Sequence, residues 1–345
     1  MKVSLISFTR NGADLEQNLL TFLKAQGNEA EGFTMGAYAE ETALESINEP
    51  LKEWTKRQFN QMEAIIFIGA AGIAVRMISP FVKDKSTDPA VIVIDEKGGF
   101  VIPLLSGHIG GANELAYEIA GYLGTIPVIT TATDINEKFA VDLFAKKNKL
   151  YISRMDYAKG ISAAILNSRK IGFESDFPVI GSPPESLTDK KNCEYRICIS
   201  LNEKTESCCK TLNLIPRIIT LGIGCRKGKS SEEIENVVSE VLKANNISIH
   251  SVANVTSIDL KKEEEGLLEF CNKFKFKLIT YTAEMLKKVE GTYIESDYVK
   301  SVTGIGNVCE RAAILGSSNG IMIQKKYAKN GITVSIAKED WSVRF

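Results

Sequence analysis

His108 sits in the run Leu105-Ser106-Gly107-His108-Ile109-Gly110-Gly111-Ala112-Asn113-Glu114. An imidazole titrates near neutrality and can take or give a proton during a reaction. Glu114 falls near the start of the following helix, where it could orient the histidine or carry a proton itself. The glycines leave backbone N–H groups free at a helix N-terminus, which suits an anion or a developing oxyanion. The plainer reading is a loop histidine bonded to a carbonyl, with Glu114 facing the helix dipole. Placement beyond the C-terminal end of a strand, where α/β sheets bind ligands, brings the functional reading level with it.

Other turns offer pieces of the same chemistry. Gly69-Ala70-Ala71-Gly72 with Arg76 gives backbone donors and one cation, or simply a tight strand–helix junction that needs small residues. Lys83, Lys85 and Asp88 follow in a loop and read on spacing alone as a solvated charged face. Gly228-Lys229-Ser230 tempts a phosphate-loop reading. That motif needs a glycine five positions before its second glycine. Gly224 is one residue too close and Gly222 one too far, so a capped turn presenting Arg226, Lys227 and Lys229 to an anionic ligand fits better. Gly304-Ile305-Gly306-Asn307 lacks the spacing of a dinucleotide fingerprint, and Glu310 and Arg311 could pair on the helix surface. Cys193, Cys198, Cys208 and Cys209 match no zinc or iron–sulfur spacing, and with two histidines in the chain no protein metal site is expected.

Positioning these residues requires strands that end in turns. Lys2–Phe8, Ala64–Ile68, Ala90–Ile94, Phe100–Leu104 and Ile126–Thr130 read as strands, with a hairpin signal at Glu96-Lys97-Gly98-Gly99. Helical spacing follows Asn11 or Asp14 and is stopped by Gly27; it also spans 51–62 and follows Gly72 and Gly111. Asp134 is expected to cap a helix running to about Lys147. From Arg217 the alternation resumes: a strand over 218–223, a helix opened by Ser230 and Glu233 as a capping box, a helix over 267–274, a strand over 277–281, a helix capped by Thr282, and a closing hairpin over 321–323 and 332–336. The expected architecture is α/β: an N-terminal doubly wound, mostly parallel sheet over 1–133, a small middle α/β lobe over 134–216, and a separate C-terminal α/β domain over 217–345.

Composition bounds the function. The 345 residues exceed what one core usually serves. A net charge of −1 gives no global field for nucleic acid, so any anionic ligand must meet local cations or helix starts. No apolar run approaches the ~20 residues of a membrane span, and the N-terminus lacks a signal-peptide core, so a cytoplasmic protein is expected. Seven scattered cysteines suit reduced thiols.

The ordered set GAAGIAVR (Gly69–Arg76), KDKSTDPAVIVIDE (Lys83–Glu96), LLSGHIGGANELA (Leu104–Ala116), PVITTATDIN (Pro127–Asn136), LGIGCRKG (Leu221–Gly228), SIDLK (Ser257–Lys261) and VTGIGNVCERAA (Val302–Ala313) resembles the cobalamin biosynthesis protein G family. The resemblance covers nearly the whole chain, the middle section mainly by position and length. It implies a cobalt-precorrin-5A hydrolase of the anaerobic cobalamin pathway. Such an enzyme adds water to a cobalt-bearing tetrapyrrole, opens a δ-lactone and releases a methylated C20 unit as acetaldehyde, giving cobalt-precorrin-5B. The cobalt belongs to the substrate, and no cofactor of the protein's own is implied. His108 is then the expected base for water, and Glu114 or Glu310 the proton shuttle. The expected substrate-binding set is Gly69, Gly72, Arg76, Lys83, Ser106, Gly107, Gly110, Gly111, Asn113, Arg226, Lys227, Gly306, Asn307 and Arg311. Expected partners are the cobalt-tetrapyrrole and water, with a homodimer and transient contact with neighbouring pathway enzymes, and neither nucleic acid nor membrane. The competing readings are a corrinoid carrier without turnover and a nucleotide-dependent enzyme using Gly224–Ser230.

Overall fold

The computed structural model describes residues 1–345 except 36–37, 40–41, 85–86, 109, 136–137, 191–192 and 205–208, and except the side chains of 133 and 134. Lys85, Ile109, Asn136, Cys208 and the Asp134 side chain therefore lie outside the described residues. The chain separates into two compact units, Met1–Leu143 and Phe144–Phe345.

The first unit alternates strand and helix as its sequence requires. Its elements are β1 (Lys2–Ser7), α1 (Arg10–Ala25), β2 (Glu29–Thr34), β3 (Glu45–Ser46), α2 (Leu51–Gln61), β4 (Ala64–Ile68), α3 (Ala71–Ile78), β5 (Ala90–Ile94), β6 (Phe100–Leu105), α4 (Ala112–Leu123), β7 (Ile126–Pro127), α5 (Ala132–Ile135) and the start of α6 (Val141–Lys147). They build one sheet in the order β3-β2-β1-β4-β5-β6-β7. The strands β3, β2, β1, β4 and β5 are mutually parallel, and this order reverses between β1 and β4 as in doubly wound folds. The strands β4 and β5 are buried along their whole length, as expected of strands covered on both faces. Helix α1 lays Leu19, Leu20 and Leu23 on one face, and Trp54 of α2 packs edge-on against Phe33 and Phe67 on the other. Each such side chain contributes roughly 1.5–3 kcal/mol by leaving water.

One reversal decides where chemistry can occur. Asp95 accepts the amides of Lys97 at 3.0 Å and Phe100 at 2.7 Å, and Gly98 takes a left-handed φ of 70°, so the chain doubles back. The strand β6 consequently runs antiparallel to β5, with Val91 opposite Leu105 and Ile94 opposite Val101. The turn after β6 therefore lies at the edge where the parallel strands begin. The Gly69 turn lies at the edge where they end.

Two sequence expectations are corrected in this unit. The strand expected over 126–130 is paired only at Ile126 and Pro127. The single helix expected from Asp134 to Lys147 is two, α5 and α6, separated by non-helical residues that include Phe139 and Ala140. The second helix has an apolar face of its own: Val141, Phe144 and Ala145 are buried at helical spacing, whereas Ile135 at the end of α5 is 63% exposed.

The second unit contains two five-stranded sheets. The middle one comprises β8 (Leu150–Ile152), β9 (Ile171–Ser175), β11 (Leu187–Thr188), β12 (Tyr195–Ile199) and β13 (Lys210–Pro216), ordered β11-β9-β12-β13-β8, with α7 (Met155–Leu166) against it. The other comprises β14 (Ile219–Cys225), β15 (Val252–Ile258), β16 (Lys277–Tyr281), β17 (Ile321–Lys329) and β18 (Ile332–Lys338), ordered β16-β15-β14-β18-β17. Its helices are α8 (Ser231–Ala244), α9 (Glu265–Phe274), α10 (Ala283–Lys287), α11 (Asp297–Thr303) and α12 (Cys309–Gly316). A short parallel pair, β10 (Val179–Ile180) with β19 (Val343–Arg344), closes the unit. The capping box is present: Ser230 Oγ accepts the Glu233 amide while Glu233 accepts the Ser230 amide. Ile234, Val237, Val238, Val241 and Leu242 form the buried stripe that its helical spacing predicts.

Candidate functional site

Ser106 begins the histidine turn with a left-handed φ of 57°, and its hydroxyl donates to the Asp88 carbonyl at 2.9 Å. Asp88 in turn accepts the Lys83 amide at 2.8 Å. This clasps Asp88 and Lys83 to the turn. The turn then winds tightly. Gly111 donates to the His108 carbonyl at 3.0 Å, Ala112 to Ser106 at 3.2 Å and Asn113 to Gly107 at 3.0 Å. A Cβ at Gly110 would lie 2.3 Å from Ser106 Cβ, and one at Gly107 2.7 Å from Asn113 Oδ1, so neither position accepts a larger residue. The Asn113 amide group donates to Thr131 Oγ1 at 3.0 Å, joining the helix start to the chain after β7.

Within this frame His108 Nδ1 lies 3.5 Å from Asp142 Oδ2, and both side chains are largely buried. The sequence reading paired the histidine with Glu114. Glu114 is exposed in the first turn of α4, and the contacting carboxylate comes instead from the first turn of α6. The expected donors also change. The amides of Gly111, Ala112 and Asn113 are spent inside the turn, and Gly110 retains an N–H without an acceptor among the described residues.

The Gly69 turn forms a separate feature at the opposite sheet edge. Five strand residues separate the two edges, roughly 16 Å of extended chain. Gly69 adopts a φ of 155° beside the Phe8 ring, and α3 starts without a side-chain cap. The Arg76 guanidinium folds back toward Gly72, 3.7 Å from where a Cβ would stand. Gly69, Gly72 and Arg76 thus group together, while Lys83 groups with His108, Ser106, Gly107, Gly110, Gly111 and Asn113.

In the second unit a cleft of about 690 Å³ opens beyond the C-terminal ends of β14 and β15. Arg226, Lys227, Lys261, Lys326 and Lys329 line it. Lys261 is paired with Glu264 at 2.6 Å and Lys329 with Glu240 at 2.7 Å, whereas Arg226 and Lys326 make no ion pair among the described residues. The Arg226 stem lies over Gly331, whose φ is 74° and where a Cβ would come within 2.9 Å of Arg226 Cδ. Between these cations the cleft displays apolar surface: Leu260 is 63% exposed, Tyr298 69% and Val302 59%. Cys225 and Cys309 also line it, and burial pushes both thiols up from their ordinary range. Cations around exposed apolar walls suit a flat ligand with anionic substituents.

The phosphate-loop resemblance dissolves in the same region. Glu264 Oε1 accepts the Gly228 amide at 2.7 Å, where a phosphate oxygen would have to sit. The Lys261 ammonium foremost, with the Gly228 amide and Lys227, holds the Glu264 carboxyl below the usual range against desolvation. Lys229 is turned to Glu233 at 2.6 Å instead of toward a ligand.

Three family models together span most of the chain: cobalamin synthesis G N-terminal over 53–134, cobalamin biosynthesis central region over 139–216, and cobalamin synthesis G C-terminus over 219–337. The cobalt-precorrin-5A hydrolase of Salmonella typhimurium is 36% identical over 295 residues, covering 82% of this chain and 84% of that protein. That of Priestia megaterium is 31% identical over 353 residues, covering 97% and 94%. The chain belongs to the cobalamin synthesis G family. Membership makes it an enzyme of cobalamin biosynthesis, of the hydrolase class. The crystal structure of a cobalamin biosynthesis protein G homologue from Sulfolobus solfataricus aligns over 98% of this chain and 97% of that one, with 24% identity and a TM-score of 0.44.

Other residues expected to serve the family's chemistry act as braces. Glu310 is fully buried, and its two carboxylate oxygens accept the amides of Lys326 at 2.6 Å and Ile294 at 3.1 Å. Asn307 accepts the Glu310 amide at 3.0 Å and donates to the Ile294 carbonyl at 2.9 Å. A Cβ at Gly306 would stand 1.6 Å from Glu295 Oε2. Arg311 donates to the carbonyls of Val289 at 2.9 Å and Leu286 at 3.3 Å, pairs with Glu295 at 3.4 Å and lies over the Tyr293 ring at 4.4 Å. These four residues secure the 286–296 segment and β17, and none of them lines the cleft. The cleft residues that the sequence reading missed are Lys261, Lys326 and Lys329 with Leu260, Tyr298 and Val302. Leu260 and Lys261 fall in the SIDLK run and Val302 opens the VTGIGNVCERAA run, whereas Tyr298, Lys326 and Lys329 lie in none of the flagged runs.

Cys193 and Cys198 are free thiols, and among the described residues no three His, Cys, Asp or Glu side chains gather around a metal position. Among the described residues no helix is long and apolar enough to cross a membrane.

Proposed function

We propose that this enzyme hydrolyses cobalt-precorrin-5A, opening its δ-lactone with water and releasing the C20 unit as acetaldehyde to leave cobalt-precorrin-5B. The observation that carries the reading is the cleft of the second unit, where Arg226, Lys227 and Lys326 border the exposed faces of Leu260, Tyr298 and Val302. A tetrapyrrole rimmed with carboxylates has that pattern in reverse: a broad apolar plane with anions around it. The cobalt travels with the substrate, so the reading needs no cofactor resident in the protein.

The base for the water step is His108 in this reading. Its imidazole takes a proton as the water oxygen bonds to the lactone carbonyl, and the Gly110 amide supports the oxyanion. The ring C–O bond then breaks and the leaving oxygen is protonated. Loss of a proton from the freed hydroxyl cleaves the adjacent carbon–carbon bond in a retro-aldol sense. The electron pair enters the conjugated macrocycle, which is later protonated, and acetaldehyde departs. Glu114, which solvent reaches, is the carboxylate suited to exchange that proton, whereas both Glu310 oxygens are already occupied. The setting that goes with this reading is the cytoplasm, with a homodimer and transient contacts with neighbouring pathway enzymes as its protein partners.

Incubation of the full chain with cobalt-precorrin-5A tests the reading. Stoichiometric acetaldehyde with conversion to cobalt-precorrin-5B is expected. Unchanged pigment that co-elutes with the protein would establish a carrier instead.

A further inference from the structure

We propose that Asp142 is the positioning residue that fixes the tautomer and aim of His108. The inference rests on His108 being the base of the reaction above. Asp142 Oδ2 stands 3.5 Å from His108 Nδ1, in a setting from which solvent is largely excluded. The carboxylate is itself oriented, because its other oxygen accepts the Leu143 amide at 3.1 Å. The histidine's backbone is equally fixed, between the Ser106–Asp88 clasp on one side and the Ala112–Ser106 and Asn113–Gly107 bonds on the other.

A neutral imidazole carries its proton on one nitrogen only. A carboxylate facing Nδ1 selects the tautomer with the proton there. The lone pair is left on Nε2, where it can take a proton from water. When it does, the imidazolium is stabilised by the same carboxylate, which stays ionised throughout. The proton on Nε2 is then available for the oxygen released from the lactone, and the pair returns to its starting state. The 3.5 Å separation is long for a finished hydrogen bond, and catalytic hydrogen bonds commonly tighten when substrate is engaged. Nothing in the spacing of the sequence pairs these residues. They meet because the hairpin reverses β6 and because α6 starts afresh at Val141 instead of continuing α5.

A carboxylate in the first turn of α6 also stabilises that helix, so loss of activity alone would not separate the two roles. A double-mutant cycle does. Wild type, Asp142→Asn, His108→Ala and the double variant are assayed for acetaldehyde release from cobalt-precorrin-5A and for thermal melting. Asp142→Asn is expected to lower kcat roughly 10–100-fold with KM unchanged. Asp142→Glu should recover part of that loss. In the His108→Ala background, Asp142→Asn should cost nothing further, because there is no imidazole left to aim. Equal fractional losses in both backgrounds, or wild-type kcat in Asp142→Asn, would overturn the proposal. Should Asp142→Asn fail to fold, Asp142→Glu is compared in the two backgrounds against the same criterion. Wild-type protein that releases no acetaldehyde would instead overturn the reaction reading, and that control is scored separately.

Discussion

Glu310 holds the backbone of Lys326: a fully buried carboxylate accepts that amide at 2.6 Å and so ties α12 to β17. Its second oxygen takes the Ile294 amide at 3.1 Å. Each buried donor left without a partner costs about 1–3 kcal/mol. Glu310→Ala should therefore lower unfolding stability by several kcal/mol in urea titrations, and Glu310→Gln by less, because the amide oxygen still accepts one of the two bonds. Lys326 lines the cleft, so substrate affinity should fall in both variants more than kcat does. A collapse of kcat with intact melting and intact affinity would make Glu310 a proton carrier after all.

The histidine turn should be intolerant of a single methyl group. A Cβ at position 110 would lie 2.3 Å from Ser106 Cβ and 2.7 Å from the Ser106 carbonyl oxygen, neither of which is the loose end of a flexible chain. Gly110→Ala must displace Ser106 and with it His108. A misplacement near 1 Å can cost about 10²-fold in rate. Acetaldehyde release should fall by that order, while pigment binding measured by spectral titration should persist, because the substitution leaves the cations of the cleft unchanged. Normal turnover in this variant would show that the turn does not position the base.

Much of this was legible in the chain. The strands β4 and β5, the hairpin at 96–99 and the capping box at Ser230 follow from short-range rules, since each depends on residues only a few positions apart. The strand β2 is not legible, because EAEGFT alternates glutamates with small residues and looks like a turn; it is held by Glu16 of α1, whose Oε1 accepts the Phe33 amide at 2.8 Å. The histidine turn is legible in the sequence, but a strand followed by a glycine turn points by itself to the ligand-binding edge of the sheet. The hairpin already implied otherwise, since a reversed β6 must deliver its turn to the far edge. Asp142 and Lys326 were invisible for a different reason. Their placement depends on contacts across 34 residues in one case and on the pairing of β17 in the other, and no local pattern encodes either.

The cations of the cleft should govern capture, not the chemical step. Arg226 and Lys326 carry no ion pair among the described residues, so their charge is available to a carboxylate. Reversal at either position, Arg226→Glu or Lys326→Glu, should raise the Kd for cobalt-precorrin-5A by roughly fivefold or more at low salt. The difference should shrink as ionic strength rises. Lys229 is committed to Glu233 at 2.6 Å, and the Gly228 amide to Glu264, so calorimetry should detect no tight magnesium-dependent ATP binding. An unchanged Kd in both reversals would remove the cleft as the pigment's seat, and micromolar ATP binding lost in Lys229→Ala would restore the nucleotide reading.

Stability of the first unit should fall as pH rises through neutrality. Glu16 is fully buried between α1 and β2, and burial pushes its carboxyl up from 4.5 to about 8 against the Phe33 amide, which favours the charged form. The folded protein thus keeps this proton up to about pH 8, while the unfolded chain releases it near 4.5. Between those values the native state binds more protons than the unfolded one, so unfolding free energy declines with pH. The contribution is complete below 4.5 and is lost by the time pH passes about 8. Within that window each pH unit withdraws up to about 1.4 kcal/mol. Glu16→Gln keeps an acceptor for the Phe33 amide and has no proton to lose. Urea unfolding of both proteins from about pH 5 to about pH 8 should therefore show the variant gaining on the wild type steadily. Parallel curves would mean that the Glu16 carboxyl ionises in the folded chain as readily as in the unfolded one.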